Sequence, residues 1–190
     1  MLILKKENTR AGFTLIEVIM VLFFAGILIT VLFGIYDWHS KIYYYQQALV
    51  RVSTSARSTV QAMQFYTSQA NRVLASASVN GAVYSSGADT VVMQLPSTDA
   101  DNNVLAGKWD KAVFYLSESN LYMRLEPDAL SSRSGIYKLL AENVSGFTIT
   151  YNNADFNQVT AVTINLSCQL LIKNQLATSS FRQNIYLKNY

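Results

Sequence analysis

The sequence predicts an α+β fold in which one long N-terminal helix, apolar in its first half and amphipathic in its second, packs on a C-terminal antiparallel sheet. Three observations predict it. Val18 to Ile35 contains no charged residue. Asp37 to Ala77 contains no Pro and no Gly and carries apolar residues at three/four spacing. After Asn80-Gly81 and Ser85-Ser86-Gly87 the pattern changes to strict alternation. Only 14% of the 190 residues are charged and 51% are hydrophobic, against about 25% charged in an average soluble domain. That balance argues against a purely cytosolic globular enzyme and against a disordered or collagen-like chain. The part after the apolar block is long enough for one domain with a core, not two. A single Cys168 excludes an internal disulfide framework and a multi-thiolate metal site. A net charge of +3 is too small to imply nucleic acid.

The N-terminal ten residues carry Lys5, Lys6 and Arg10 against Glu7. Gly12 follows, then an apolar block from Phe13 to Ile35 interrupted only by Glu17. A cleaved secretory signal needs an apolar core of about 7–15 residues and a small-x-small site. This block is longer, and no such site follows it. Its length instead suits a bilayer core, which takes about 20 residues. The basic end places the N-terminus inside. Glu17 is then the anomaly, since a carboxylate at mid-bilayer costs about 2.5–3.5 kcal/mol and less toward the interface. Such a residue calls for a function and a partner.

The run Gly12-Phe13-Thr14-Leu15-Ile16-Glu17 resembles the prepilin signal of type IV pilins and type II secretion pseudopilins. The resemblance implies cleavage between Gly12 and Phe13 by a prepilin peptidase on the cytoplasmic side, followed by N-methylation of Phe13. It also implies that Glu17 pairs with the N-terminal amine of a neighbouring subunit as a filament grows. In a low-dielectric bundle such a pairing rewards register more than it adds stability. Gly26 and Gly34 fall where pilins carry a Gly and a Pro around a segment that melts in the filament. With Gly34 in place of Pro no sharp kink is expected, although each Gly weakens a helix by about 1 kcal/mol. Close packing of a neighbouring helix against these small residues is an equally good reading.

Beyond the apolar block the stripe runs Ile42, Tyr45, Leu49, Val52, Ala56, Thr59, Met63, Tyr66, Ala70, Val73, Ala77. It predicts a helix continuous with the membrane segment, about 60–65 residues and about 90–100 Å long at 1.5 Å per residue. Mixed Tyr and Ala along the seam suit a helix-on-sheet contact better than a coiled coil. The other side carries Lys41, Arg51, Arg57 and Arg72, with no acid between Asp37 and Asp89. A solvated face is the favoured reading; a groove for DNA or a contact for acidic neighbours stays open. Tyr36, Trp38 and Tyr43-Tyr44-Tyr45 read as an interfacial aromatic belt.

In the C-terminal part, strands are expected at Thr90 to Leu95, ending at Pro96, and at Ala112 to Leu116 and Leu121 to Leu125 around a four-residue loop Ser117–Asn120. Gly146 to Tyr151 follows. The clearest strand runs from Val159 to Lys173 and puts Val162, Ile164, Leu166, Cys168, Leu170 and Ile172 on one face. Phe181 to Leu187 pairs with it across Asn174 to Ser180. The expectation is one sheet of about six strands. Cys168, on the apolar face, reads as a core residue rather than a nucleophile. His39 has no ligand partners at metal spacing, and no Ser/His/Asp set, phosphate loop or H-E-x-x-H occurs, so catalysis is not expected. Asp99-x-Asp101-x-Asn103, followed by Asp110, has the opening of a calcium loop. It lacks the turn Gly and the final Glu, and a polar turn over Pro96 to Gly107 explains the same residues. Ser131 to Gly135 reads as a flexible loop without chemistry.

Glu126-Pro127-Asp128 and Leu139 to Phe147 resemble, more loosely, the J-type minor pseudopilins and W-type minor pilins. The divisions expected are a leader (1–12), a transmembrane half-helix (13–35), an amphipathic half-helix (36–78) and a sheet domain (79–190). The resemblance implies a structural subunit, not an enzyme, that helps prime or cap a pseudopilus or pilus. It sits in the inner membrane with the N-terminus inside and the sheet domain outside before it joins a periplasmic or surface filament. Its implied partners are the prepilin peptidase, other pilin subunits and the membrane; no cofactor or metal is implied and nucleic acid is not an expected partner. Two alternatives are a pilin that binds DNA or a surface and a membrane-tethered extracytoplasmic binding domain.

Overall fold

The computed structural model describes residues 12–188. The basic residues expected ahead of the span (Lys5, Lys6 and Arg10) lie outside the described residues, as does Glu7. The chain divides into two compact units, residues 1–43 and 44–190.

A single α-helix, α1 (Leu15–Gln69), supplies the regular structure of the first unit and the opening element of the second. In the first unit its apolar residues are exposed: Phe23 is 62% and Phe33 70% accessible. It is one helix long and apolar enough to cross a membrane, which is compatible with single-pass anchoring. In the second unit Ala48, Val52, Ala56, Thr59, Val60, Met63 and Thr67 are buried. That face follows the predicted stripe, except that Ile42, Tyr45 and Tyr66 are only half-buried and Leu49 is exposed.

The helix stops at Gln69, short of the Ala77 that the stripe suggests. The Asn71 N–H turns instead to the Gln94 carbonyl (2.8 Å), and β1 (Arg72–Leu74) pairs with β4 (Thr90–Thr98), setting Val73 against Met93. Val73 and Ala77 fit a four-residue helical spacing, but with Ala75 and Val79 they also alternate with period two. Ser76 and Ser78 are indifferent helix formers, and sheet pairing prevails. A hairpin of β2 (Ser76–Val79) and β3 (Ala82–Ser85) follows. Its two-residue turn, Asn80-Gly81, has φ of 49° and 79°, the positive pair that a type I′ turn demands.

The single six-stranded sheet expected is replaced by a five-stranded sheet, order β1-β4-β5 (Val104–Ser117)-β6 (Asn120–Glu126)-β7 (Ile136–Ala141), a three-stranded sheet, order β10 (Gln175–Tyr186)-β9 (Ala161–Ile172)-β8 (Val144–Tyr151), and the β2–β3 hairpin. All pairings are antiparallel. β4 runs through Pro96, where the register to β5 (Val104–Ser117) shifts, the place where a strand tolerates proline. β5 turns into β6 (Asn120–Glu126) over two residues rather than four, with Glu118 at φ 56°. β7 (Ile136–Ala141) completes the sheet. Glu142-Asn143, with Asn143 at φ 55°, separates it from β8 (Val144–Tyr151), whose pairing register shifts between Val144 and Gly146. β9 (Ala161–Ile172) and β10 (Gln175–Tyr186) pair in unbroken register across Lys173-Asn174, both at positive φ, so the longer connection expected through Ser180 is strand instead.

One core joins the two large sheets to the second half of α1, with Val52, Ala56, Val60 and Met63 packed among Phe114, Met123, Ile164 and Leu166. The Thr59 hydroxyl donates to the Leu140 carbonyl of β7 (2.8 Å), tying helix to sheet. On the other face of the five-stranded sheet, Tyr84, Tyr115, Tyr122 and Tyr137 form a continuous row, with ring centroids 4.9, 5.6 and 5.9 Å apart. The Arg124 guanidinium lies 4.7 Å from the Tyr137 ring centre.

The segment Ser131 to Gly135 is not the free loop expected. Asp110 of β5 is fully buried, and its Oδ1 accepts from the Ser97 hydroxyl (2.7 Å) and the Asp128 N–H (2.9 Å). Its Oδ2 accepts from the Ser131 hydroxyl and from Arg133 Nη1, each at 3.0 Å. Arg133 also donates to the Pro96 carbonyl (2.9 Å) and to Gln69 Oε1 (3.3 Å). A buried charge is tolerated when it is both paired and hydrogen-bonded, and this network pins the segment to β4, β5 and the end of α1.

Candidate functional site

The motif residues stand at the start of α1, where the structure explains their order. Gly12, Phe13 and Thr14 precede the helix in non-helical backbone, and Phe13 is 86% exposed. Thr14 is the N-cap. Its Oγ1 accepts from the Glu17 N–H (3.4 Å), while Glu17 Oε2 accepts from the Thr14 N–H (2.8 Å) and the Thr14 hydroxyl (3.0 Å). This reciprocal arrangement is a capping box, which satisfies amide donors that a helix start leaves unpaired. Its T-x-x-E pattern is legible in the sequence as Thr14 and Glu17, although the resemblance to prepilin signals points only to an intermolecular partner for Glu17. The carboxylate therefore has an intramolecular role within the single chain. Near the helix N-terminus it also meets the favourable end of the backbone dipole.

Gly26 and Gly34 lie inside unbroken helix. A Cβ built at either would meet nothing within 4 Å, so no contact within the chain requires glycine there. The Thr30 hydroxyl donates back to the Gly26 carbonyl (2.9 Å) and covers the backbone beside that glycine. Gly26, Thr30 and Gly34 recur at four-residue spacing and leave a shallow strip of small groups on the helix surface.

The basic residues do not assemble on one helix face. Lys41 pairs with Asp37 at 2.6 Å, and Arg51 and Arg57 are exposed on α1. Arg72 leaves the helix altogether; it sits on β1 and donates to Gln94 Oε1 at 2.6 Å. His39 lies edge-on to Trp38, with ring centres 5.3 Å apart.

The Asp99 loop is closed by its own backbone. Asp99 Oδ1 accepts from the N–H groups of Asp101 (2.9 Å) and Asn103 (2.8 Å), and Oδ2 from Asn103 Nδ2 (3.2 Å). These bonds, those of Asn103 foremost, hold its carboxyl below the usual range. Asp110 belongs to the buried network and not to this loop. Among the described residues no three His, Cys, Asp or Glu side chains come together as a metal-binding set. Cys168 is 1% exposed on the inner face of β9, and burial pushes its thiol up, as for an unreactive core thiol.

Compared with known proteins, the chain matches no protein-family model and no curated relative.

Proposed function

We propose that this protein is a pilin-like filament subunit, a minor pseudopilin or minor pilin made as a membrane-anchored precursor. The observation that carries the reading is the sequence Gly12-Phe13-Thr14-Leu15-Ile16-Glu17 at the start of an apolar, exposed helix that continues into a sheet domain. Cleavage after Gly12 would act on backbone outside the helix, where no helical hydrogen bond has to break first. The exposed apolar half of α1 needs lipid before assembly and neighbouring helices after it, because apolar surface left in water costs about 25 cal/mol per Å². The precursor would have its N-terminus inside and its sheet domain outside, and Glu17 would exchange its contacts with Thr14 for the amine of a neighbour. The small-residue strip Gly26-Thr30-Gly34 would allow that neighbour to approach closely.

The test is intact mass and N-terminal sequencing of the full chain after co-expression with a prepilin peptidase. Loss of Met1 to Gly12 and one added methyl on Phe13 is the expected result. An uncut chain beside a control substrate that is cut would overturn the reading.

A further inference from the structure

Within the second unit, the last turns of α1, the loop after β4 and the segment between β6 and β7 enclose a cleft of about 640 Å³. That is within the range of small-molecule sites, about 300–1,000 Å³. One wall is aromatic: Phe65, 60% exposed, stands at right angles to Tyr66 with ring centres 5.1 Å apart. The half-buried Ile136 adds apolar surface, and the buried Pro96 and Leu125 also line the cleft. Arg133 supplies the charged group, but Asp110 already balances it at 3.0 Å. Among the described residues its three hydrogen bonds engage three of the five guanidinium donors, leaving two N–H groups. Apart from Lys188, the remaining polar groups are neutral and include the amides of Gln69 and Asn102 and the hydroxyls of Ser132 and Ser134. Ser132 spends its proton on the Asp99 carbonyl (2.7 Å) and keeps acceptor capacity. Lys188 also lines the cleft and is already engaged with other groups.

These features select a ligand class. An anion gains little beside a guanidinium whose charge is compensated, and a purely apolar ligand would strand the amides and hydroxyls. A ligand with one C–H face and a rim of hydroxyls that both donate and accept matches each wall in turn. We propose that this cleft binds a neutral saccharide, its ring stacked on Phe65 and its hydroxyls held by Arg133, Asn102 and Gln69. The proposal is independent of the filament reading.

Saturation-transfer NMR on the full chain tests it, in a detergent without a sugar headgroup, with cellobiose, chitobiose, lactose and maltose at millimolar concentration and trialanine as a peptide probe. Transfer to the ring C–H protons of at least one sugar is expected. Phe65→Ala should weaken it about tenfold, equivalent to about 1.4 kcal/mol, with an unchanged unfolding midpoint because the ring is largely exposed. Ser134→Ala should weaken it less. No transfer to any of the four sugars, transfer to trialanine alone, or sugar binding insensitive to Phe65→Ala would each overturn the proposal.

Discussion

Replacing Arg133 with Ala removes the cation paired with Asp110, a carboxylate with no solvent exposure, and two further bonds to Pro96 and Gln69. Breaking a buried pair by deleting one partner costs about 3–5 kcal/mol. Two features place this case near the lower end. The Arg133 side chain is 21% exposed, so water already reaches it, and Ser97, Asp128 and Ser131 still donate to Asp110 in the variant. About 3 kcal/mol is therefore expected. At about 2–4 °C per kcal/mol for a chain of this size, the midpoint should fall by about 6–12 °C. Near-UV circular dichroism follows the packed aromatics of the sheet domain, and urea titration of the full chain in detergent gives the free energy. The double variant Asp110→Leu/Arg133→Met removes both charges and should lose clearly less than the sum of its two single variants, since the orphaned group disappears. A loss below about 1 kcal/mol for Arg133→Ala, or strict additivity in the double variant, would refute the claim that this network holds the segment between β6 and β7.

Glu17→Gln keeps an acceptor for the Thr14 N–H and should retain helix content in detergent, whereas Glu17→Ala should cost about 1 kcal/mol at the helix start. If both variants assemble into filaments as well as the parent, a charge-dependent role for Glu17 is wrong. Thr59→Val keeps the side-chain shape but strips the Leu140 carbonyl of its donor, and about 1–3 kcal/mol should be lost in urea unfolding; an unchanged midpoint would mean that water replaces the hydroxyl. Burial pushes the phenol of Tyr151, which donates to the Gly87 and Thr90 carbonyls (3.0 and 3.1 Å), up to about 12. The folded state therefore favours the neutral phenol: its contribution to stability is complete below the reference value of 10 and is lost as pH rises through about 12. Burial pushes Tyr115 up to about 12 as well, so ultraviolet titration should show a late tyrosine step that Tyr151→Phe reduces without abolishing; complete ionisation by about pH 11 would contradict the burial.

Legibility in the sequence followed the range of the interactions. The apolar run Val18 to Ile35 is contiguous, the capping pair Thr14–Glu17 is three residues apart, and the alternation through Val162, Ile164 and Leu166 belongs to one strand. Each is a local pattern with one structural solution, so the long helix, its cap and β9 can be derived residue by residue. The Asn80-Gly81 turn is equally local, but Val73 and Ala77 ahead of it also fit a helical stripe. Where helix and strand spacing coincide, local preference does not choose; pairing of β1 with β4 does.

The same distinction separates the two sites. The Gly12–Glu17 motif is complete within six residues, so the chain alone determines it. The cleft beside Arg133 combines Gln69 at the end of α1, Asn102 from the loop after β4 and Ser134 from the segment before β7. Nothing about Arg133 in its own stretch of Ser and Gly announces a partner 23 residues away. Asp110 becomes a buried acceptor only after β5 is paired on both sides and the following segment closes over it. The sequence by itself determined the long apolar helix, the motif and the α+β class through contiguous hydrophobic and hydrogen-bonding patterns. The division into two sheets, the end of the helix and the cleft were decided by tertiary structure, because burial, which makes a lone carboxylate require a partner, exists only once distant segments have packed.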